Sequence, residues 1–281
     1  MLKRQTTGSV VCVSCGYLVG VNDERCYNCG RRNPGLWGFA SSVRKLGNDM
    51  GFVPLVMGLC VVMFVITLLL SPAALVPQGG LFGLFSPDPY VLAQYGASGV
   101  WPVFVQHRWW TVLSAVWLHG SLIHILMNLW FVRSFAPPVG EFYGAGRMVI
   151  IYTVAGVIGF VLSSSASAFG LPLAGSSGLT VGASGSAFGL IGALLYYGRR
   201  TGSSHIGRQL MPMILINLYI GLASRGIDNY AHVGGLLGGW LISMYLDPLK
   251  PERIDHMVIA LACIVLSVVS LIVSVLVPIG I

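Results

Sequence analysis

Long apolar stretches separated by short polar segments make up most of the chain from residue 51 onward. The first reads GFVPLVMGLCVVMFVITLLL, close to the roughly 20 residues that a helix needs to cross a bilayer core. Backbone groups in lipid must be satisfied within their own segment, which favours helices over strands. The pattern therefore predicts seven membrane-spanning helices, at residues 51–70, 112–135, 147–168, 184–198, 210–223, 230–246 and 257–278.

The composition supports this prediction. Hydrophobic residues make up 55% of the 281 residues and charged residues 9%, whereas about a quarter of a soluble domain is charged. The mean hydropathy is +0.80. The first residues, MLKRQTTGSVVCVSCG, lack the apolar core and cleavage site of a signal peptide. We therefore expect an all-α polytopic protein embedded in a lipid bilayer.

The basic residues indicate how the chain crosses the membrane. With a cytoplasmic N-terminus, the predicted outer loops hold only Arg108 and Arg225, and the other 14 of the 16 Lys and Arg residues lie on the inner side. This is the positive-inside distribution, and it explains the net charge of +7 without a nucleic-acid partner. It predicts a multi-pass protein of the cell membrane with its C-terminus outside. We expect a bacterial plasma membrane.

Four of the six cysteines form two C-x-x-C pairs in CVSCGYLVGVNDERCYNCG. Each pair can form a knuckle whose two thiolates face one ion, and two knuckles complete a tetrahedral site. Two disulfides or unrelated thiols are the alternative, and a reducing cytoplasm disfavours disulfides. The segment resembles a small zinc ribbon, with a structural Zn²⁺ held by Cys12, Cys15, Cys26 and Cys29. No ligand position stays open for chemistry, so we expect a structural or docking role, the latter with a cytoplasmic partner.

These features divide the chain into three parts. Residues 1–35 are predicted to form the zinc-ribbon-like cytoplasmic domain, residues 36–50 a linker, and residues 51–281 the membrane domain. The linker carries aromatic and basic side chains that are typical of a membrane surface, namely Trp37, Phe39, Arg44 and Lys45.

Polar side chains within the apolar spans are costly unless they are paired or functional. Ser184 opens the fourth span in VGASGSAFGL, and His232 lies in the sixth in YAHVGGLLGGWL. Each lies fifteen residues before the inner end of its span, marked by Arg199 and Asp247. At about 1.5 Å per residue, both lie roughly 22 Å above the inner boundary. A serine and a histidine at one depth can act as nucleophile and base; hydrogen bonds that only hold helices together are the alternative.

Glycines accompany both of these residues. Gly182 and Gly185 allow a sharp turn and a close backbone approach to the Ser184 hydroxyl. A helix that begins at Ser184 has unpaired amides at its first turn, which can stabilise an oxyanion. Gly235 and Gly239 lie three and seven residues after His232, and such small residues let two membrane helices approach closely.

The ordered set HGSLIHILMN, GASGSAFGL and AHVGGLLGG, on spans two, four and six, resembles the rhomboid family of intramembrane serine proteases. The likeness covers roughly residues 51–250 and implies a six-helix rhomboid-like bundle with a seventh helix appended at the C-terminus. It also implies a catalytic Ser184–His232 dyad that needs no cofactor. The residues that it implies around the dyad are His124, Asn128 and the Ser184 amide as oxyanion donors, and Phe188, Gly182 and Gly185 as supporting residues.

The resemblance implies an endopeptidase that cleaves transmembrane segments of membrane proteins near the outer face. The first loop departs from the family, because HRWW places Arg108 before the tryptophans where members often carry Trp-Arg. Asp228 is predicted to cap the sixth helix and not to complete a triad. Two other classes remain open: an inactive relative that binds membrane proteins, and a transporter, which would show broken helices in paired halves.

Overall fold

The computed structural model describes residues 4–41, 49–72, 83–171, 178–224 and 227–280. Within these ranges seven long helices follow one another, one for each predicted span, and the prediction of an all-α polytopic fold is confirmed. Arg44, Lys45 and Arg225 lie outside the described residues. The helices are α1 (Phe52–Leu69), α2 (Leu122–Tyr143), α3 (Ala145–Ala168), α4 (Ser184–Thr201), α5 (Ser204–Ala223), α6 (Asn229–Tyr245) and α7 (Ile254–Leu276).

Helices α4 and α6 lie in the interior of the bundle. Of the seven helices, α1, α2, α3, α5 and α7 are each long and apolar enough to cross a membrane. Helix α6 has only 17 residues, and serine, glycine and two arginines lower the hydropathy of α4. Both pack extensively against α3. Of the 18 most apolar consecutive residues, 61% are buried in the case of α3 but only 17% in the case of α5. Helix α3 is therefore central and helix α5 peripheral.

The second long helix begins ten residues later than the apolar pattern predicts. Thr111–Ser114 and Ala115–Trp117 form two short helical turns, and the chain then becomes extended at Leu118. Helix α2 starts after Ser121, whose Oγ accepts a hydrogen bond from the His124 amide at 3.3 Å. Such a cap fixes a helix start whatever the hydropathy of the residues before it. His119, which we expected within this span, therefore lies before the helix.

Residues 83–121, hereafter the first loop, cover the end of the bundle where α4 begins. They contain a short helix at Pro89–Gln94 and a π-helical turn at Trp101–Val105. Ser98 and Thr180 exchange two backbone hydrogen bonds, of 3.0 and 2.8 Å. The loop is thereby joined to the residues that lead into α4.

Residues 4–41 form a small unit of their own. Strands β1 (Ser9–Val11) and β2 (Leu18–Gly20) pair antiparallel, with Val10 opposite Val19. The unit contacts the membrane domain through Ser14, whose Oγ donates to the Glu252 carbonyl oxygen at 2.8 Å. Its interior holds only a few apolar side chains beside two of the cysteines, namely Val10, Val19, Val21 and Ala40. Units this small usually need a metal or disulfides to fold.

Candidate active site

Ser184 lies at the first position of α4, after a turn that only glycine adopts readily. Gly182 has a φ of +120°, which side chains rarely tolerate. Its amide donates to the Ala115 carbonyl oxygen at 2.9 Å. Ser184 is partly exposed, whereas residues 185–194 are all buried. The serine hydroxyl therefore lies where the buried helix opens to its surroundings, beside first-turn amides that have no partner within the helix.

Helices α4 and α6 meet along a seam of glycines, defined here as Gly185, Gly189, Gly235 and Gly239. A Cβ at Gly235 would overlap the Gly185 carbonyl oxygen, and one at Gly239 would overlap the Gly189 carbonyl oxygen. A Cβ at Gly185 would lie 3.3 Å from the Ala231 carbonyl oxygen. Backbone thus packs on backbone, which only small residues allow. The seam brings the first turns of the two helices to the same level, with Ala231 and His232 facing the start of α4.

His232 is positioned by an aromatic side chain of α4. Its ring stacks on Phe188 with centroids 4.4 Å apart and planes 8° apart. Phe188 in turn stacks on Phe131 of α2 at 6.3 Å. Phe188 lies four residues after Ser184, about one helical turn. The structure therefore places the imidazole of His232 against the first turn of α4, and its buried Nδ1 has no hydrogen-bond partner among the described residues.

Asp228, the acidic residue nearest to His232 in the sequence, is committed elsewhere. Its Oδ1 accepts a hydrogen bond from the Ala231 amide at 2.9 Å, and its Oδ2 accepts one from the Ser163 hydroxyl. The predicted cap of this helix is confirmed. The imidazole ring packs on Phe188, and the two carboxylate oxygens of Asp228 accept hydrogen bonds from Ala231 and Ser163.

Two side chains of α2 face Gly182. A Cβ at Gly182 would lie 2.6 Å from His124 Nε2 and 3.6 Å from Asn128 Oδ1. His124 Nδ1 accepts a hydrogen bond from the Gly120 amide at 3.3 Å, so the proton of a neutral imidazole resides on Nε2. His124 thus presents a donor towards the turn before Ser184.

Asn128 is oriented differently from an oxyanion donor. Its Nδ2 donates to the His124 carbonyl oxygen at 2.8 Å, and its buried Oδ1 has no partner within the part of the chain that the structure describes. The amide must turn over before its nitrogen faces Gly182. His119, with no exposed surface, packs edge-on against His124 with ring centroids 5.3 Å apart, which suits a structural position.

The four ribbon cysteines form a second candidate site. Cys12 and Cys29 have their sulfurs 3.8 Å apart, Cys15 and Cys26 3.6 Å apart, and all four sulfurs lie within 4.8 Å of one another. All six cysteines are free thiols among the described residues. Sulfurs about 2.3 Å from a tetrahedral Zn²⁺ are separated by about 3.8 Å. The cluster has the size to hold a metal ion.

The two knuckles share one backbone pattern. Gly16 and Gly30, both with positive φ, donate to the carbonyl oxygens of Cys12 and Cys26 at 3.0 and 2.9 Å. Burial opposes ionisation of the Cys26 thiol, but hydrogen bonds from the amides of Cys29 and Asn28 lower its pKa to about 7. Burial raises the pKa of Cys29 to about 12. Amides directed at sulfur suit thiolate ligands.

Some groups around the site were not singled out from the sequence. The Ala115 carbonyl oxygen holds Gly182, and Ser163 holds Asp228. A backbone carbonyl carries no signal in a sequence. Ser163 belongs to an SSSAS run in the third span, where polar residues in an apolar helix offered a clue.

A family model described as the rhomboid domain matches residues 106–249, which is just over half of the 281 residues. Over 147 residues the chain is 33% identical to the rhomboid protease GluP of Bacillus subtilis (strain 168), covering 51% of this chain and 27% of that protein.

Two proteins of Arabidopsis thaliana are similar over a comparable region. RHOMBOID-like protein 2 is 32% identical over 163 residues, which are 58% of this chain and 50% of that protein. RHOMBOID-like protein 1 is 30% identical over 169 residues, 60% of this chain and 42% of that protein. The chain thus spans between about a quarter and a half of the length of these relatives.

Proposed function

Because the chain belongs to the rhomboid family, we propose that it is an intramembrane serine endopeptidase with a Ser184–His232 dyad. The observation that carries the proposal is the packing of α4 on α6. It stacks the His232 imidazole on Phe188, one turn after a serine that stands partly exposed at a helix start. A serine nucleophile needs a base within reach and an accessible hydroxyl.

The proposed reaction follows from these groups. His232 removes the proton of the Ser184 hydroxyl as the oxygen attacks the scissile carbonyl carbon. It then gives that proton to the leaving amine as the C–N bond breaks. Water, deprotonated by the same imidazole, hydrolyses the acyl-enzyme and frees the serine. No metal or other cofactor takes part.

The oxyanion of the tetrahedral intermediate is expected beside Gly182. The Ser184 amide and His124 Nε2–H are the proposed donors, together with the Asn128 amide after it turns over. Gly182 and Gly185 support the dyad because the first leaves room for the His124 ring and the second lets α6 approach. Removing one such donor typically slows an enzyme about 10²- to 10³-fold.

The substrates are proposed to be transmembrane segments of other membrane proteins, cut near the outer face. The distribution of Lys and Arg supports a cytoplasmic N-terminus and an external C-terminus. It places the start of α4 towards the outside, where water for deacylation is available. We propose the cell membrane of a bacterium as its location.

The cysteine cluster is proposed to hold one structural zinc ion. Four thiolates fill a tetrahedral shell, so the ion stabilises the ribbon and takes no part in the reaction. The division into a ribbon at residues 1–35, a linker at 36–50 and a membrane domain at 51–281 stays a proposal, in which the first linker residues, up to Ala40, pack against the ribbon. The ribbon offers exposed aromatic side chains, Tyr17 and Tyr27, to a cytoplasmic partner.

The test is cleavage of a model single-span substrate by purified protein in detergent, with Ser184→Ala beside Ser186→Ala. Ser186 is a matched control because it lies on the same helix, two residues away, with its hydroxyl fully buried. Wild type and Ser186→Ala should cleave, and Ser184→Ala should not. Cleavage that survives in Ser184→Ala would refute the dyad, and no cleavage by wild type would favour a binding or transport protein.

A further inference from the structure

The end of α7 is bound to the first loop by side chains from both. Ser274, with no exposed surface, lies at the centre of this contact. Its carbonyl oxygen accepts from Arg108 Nη2 at 2.8 Å and from Gln94 Nε2 at 3.2 Å. Its Oγ accepts from Trp110 Nε1 at 3.1 Å and lies 3.3 Å from Ser114 Oγ. Residues of the first loop thus surround the last turn of one helix.

Arg108 joins two helix ends at once. Besides Ser274, its guanidinium donates to the carbonyl oxygens of Ala93 and Gln94, at 2.8 and 3.1 Å, in the last turn of the short helix Pro89–Gln94. The side chain is 1% exposed and lies over the Trp110 ring at 5.8 Å. Carbonyl oxygens in the last turn of a helix are unpaired and carry negative charge. A buried cation that meets both ends therefore fastens them together.

Residues beyond α7 add to this contact. The Ile279 amide donates to Gln94 Oε1 at 3.0 Å, and the Gly280 amide donates to Gln106 Oε1, also at 3.0 Å. At Gly96 there is no room for a side chain, because a Cβ would strike the hydroxyl oxygens of Ser114 and Ser274. The first loop is thus in close contact with the end of α7 at Gly96 and with the residues that follow the helix.

The first loop in turn fixes the turn that presents Ser184. Its Ala115 carbonyl oxygen holds the Gly182 amide, and its Ser98 pairs with Thr180. Ser274 contacts Ser114, and the next residue, Ala115, holds Gly182, so hydrogen bonds and one peptide link connect the end of α7 to the residues before α4. Helix α7 lies outside the matched family region, yet it is bonded to the loop beside the candidate site.

We propose that the C-terminal end of α7 holds the first loop in place, and that Arg108 and Ser274 are positioning residues for the site at Ser184. This proposal rests on the proposed protease function only for its effect on turnover. The effect on the loop itself is a property of the structure.

The experiment compares Arg108→Gln, a deletion of residues 274–281, and the two combined. Hydrogen exchange reports on the loop amides at residues 93–117 and on residues 178–183. Each single change should speed their exchange about 10-fold or more, as expected when a held segment opens more often. The combined variant should add little, because both changes remove one shared contact. Ser270→Ala is the control, since its hydroxyl donates to the Ser267 carbonyl oxygen within α7.

Turnover supplies the second measurement. Arg108→Gln should lower kcat about 10-fold with KM within about 2-fold, since the displaced turn affects the oxyanion donors more than substrate docking. Arg108→Lys should recover part of the loss, because it keeps the charge but reaches fewer carbonyls; it also replaces Arg108→Gln if that variant does not fold. Unchanged exchange, or additive effects of the two changes, would overturn the proposal. If the variants exchange faster as expected but the wild type cleaves no substrate, only the protease function is refuted.

Discussion

The ribbon and the membrane site bring their side chains together in opposite ways. The four ribbon sulfurs come from residues 12–29, and each knuckle is closed by hydrogen bonds between residues four or five apart. The candidate membrane site takes His124, Ser184 and His232 from three different helices. Glycine backbones of α4 and α6 lie in contact, and His124 of α2 faces Gly182, two residues before Ser184.

The two sites therefore depend on different features of the sequence. A site made of local turns is specified by spacing within one short segment and is completed by an ion. A site made between helices depends on the volume of side chains that never touch a substrate. The effect of a substitution on cleavage should therefore follow its place in the helix packing, and the ribbon should contribute little.

The largest effect is expected at the glycine seam. Gly239→Ala places a Cβ on the Gly189 carbonyl oxygen, so α6 must move away from α4. We expect loss of cleavage and a destabilisation of about 3 kcal/mol, the upper end for overpacking. Gly58→Ala on α1 is the control, since a Cβ there meets nothing within 4 Å. Thermal unfolding in detergent measures the stability, and the cleavage assay measures the activity. Equal stability and activity of Gly239→Ala and Gly58→Ala would contradict the role of the seam.

The next effect is expected at the turn before Ser184. Gly182→Ala strains a backbone at φ +120° and displaces the His124 ring. We expect kcat to fall about 10²-fold, as for loss of one oxyanion donor, with a smaller change in KM. Steady-state cleavage of a model substrate gives both values. A rise in KM with kcat unchanged would indicate that the turn only binds substrate.

A small effect is expected at Asp228. Asparagine caps a helix about as well as aspartate, so Asp228→Asn should keep the start of α6 and leave kcat within about 3-fold. A carboxylate that belongs to a catalytic triad behaves otherwise. In serine proteases with a triad, replacing the aspartate by asparagine lowers kcat about 10⁴-fold. The same assay distinguishes the two, and a loss of that size would show that the histidine relies on Asp228.

The smallest effect on cleavage is expected from loss of the ribbon metal. Cys26→Ser, or a chelator, should release one equivalent of zinc and unfold residues 4–41, because binding of a structural zinc stabilises such a unit by about 10–16 kcal/mol. Cleavage should stay within about 2-fold, since the ribbon is bonded to the membrane domain through the Glu252 carbonyl, far in sequence from α4. Elemental analysis and the cleavage assay check this. Absence of zinc in the purified protein, or loss of cleavage with the metal, would contradict the separation.

Much of the architecture was predictable because each feature was local. The apolar runs predicted all seven helices, and the C-x-x-C spacing predicted the cysteine cluster. Asp228 was predicted as a helix cap, and its carboxylate accepts a hydrogen bond from the amide three residues later. The start of α2 was predicted wrongly, because residues 112–121 are apolar enough to belong to the helix, whereas the chain is extended at Leu118 and α2 begins only after the cap at Ser121. Hydropathy measures burial, and a buried loop resembles a buried helix.

Contacts between distant segments were not predictable from the pattern. Arg108 was visible as a basic residue among tryptophans, but its partners are carbonyl oxygens of Ala93, Gln94 and Ser274. Any residue offers such a carbonyl, so nothing in the sequence distinguishes these three. A common depth of Ser184 and His232 was estimated from helix rise alone. The glycine contacts between α4 and α6 could be identified only in the packed structure.

Covalent labelling of Ser184 by a fluorophosphonate, located by mass spectrometry, tests the central claim most directly. The account predicts one adduct per chain, on the peptide that contains Ser184, and a labelling rate about 10²- to 10⁴-fold lower in His232→Ala, the usual contribution of a general base. An adduct on another residue, or equal labelling of wild type and His232→Ala, would contradict it.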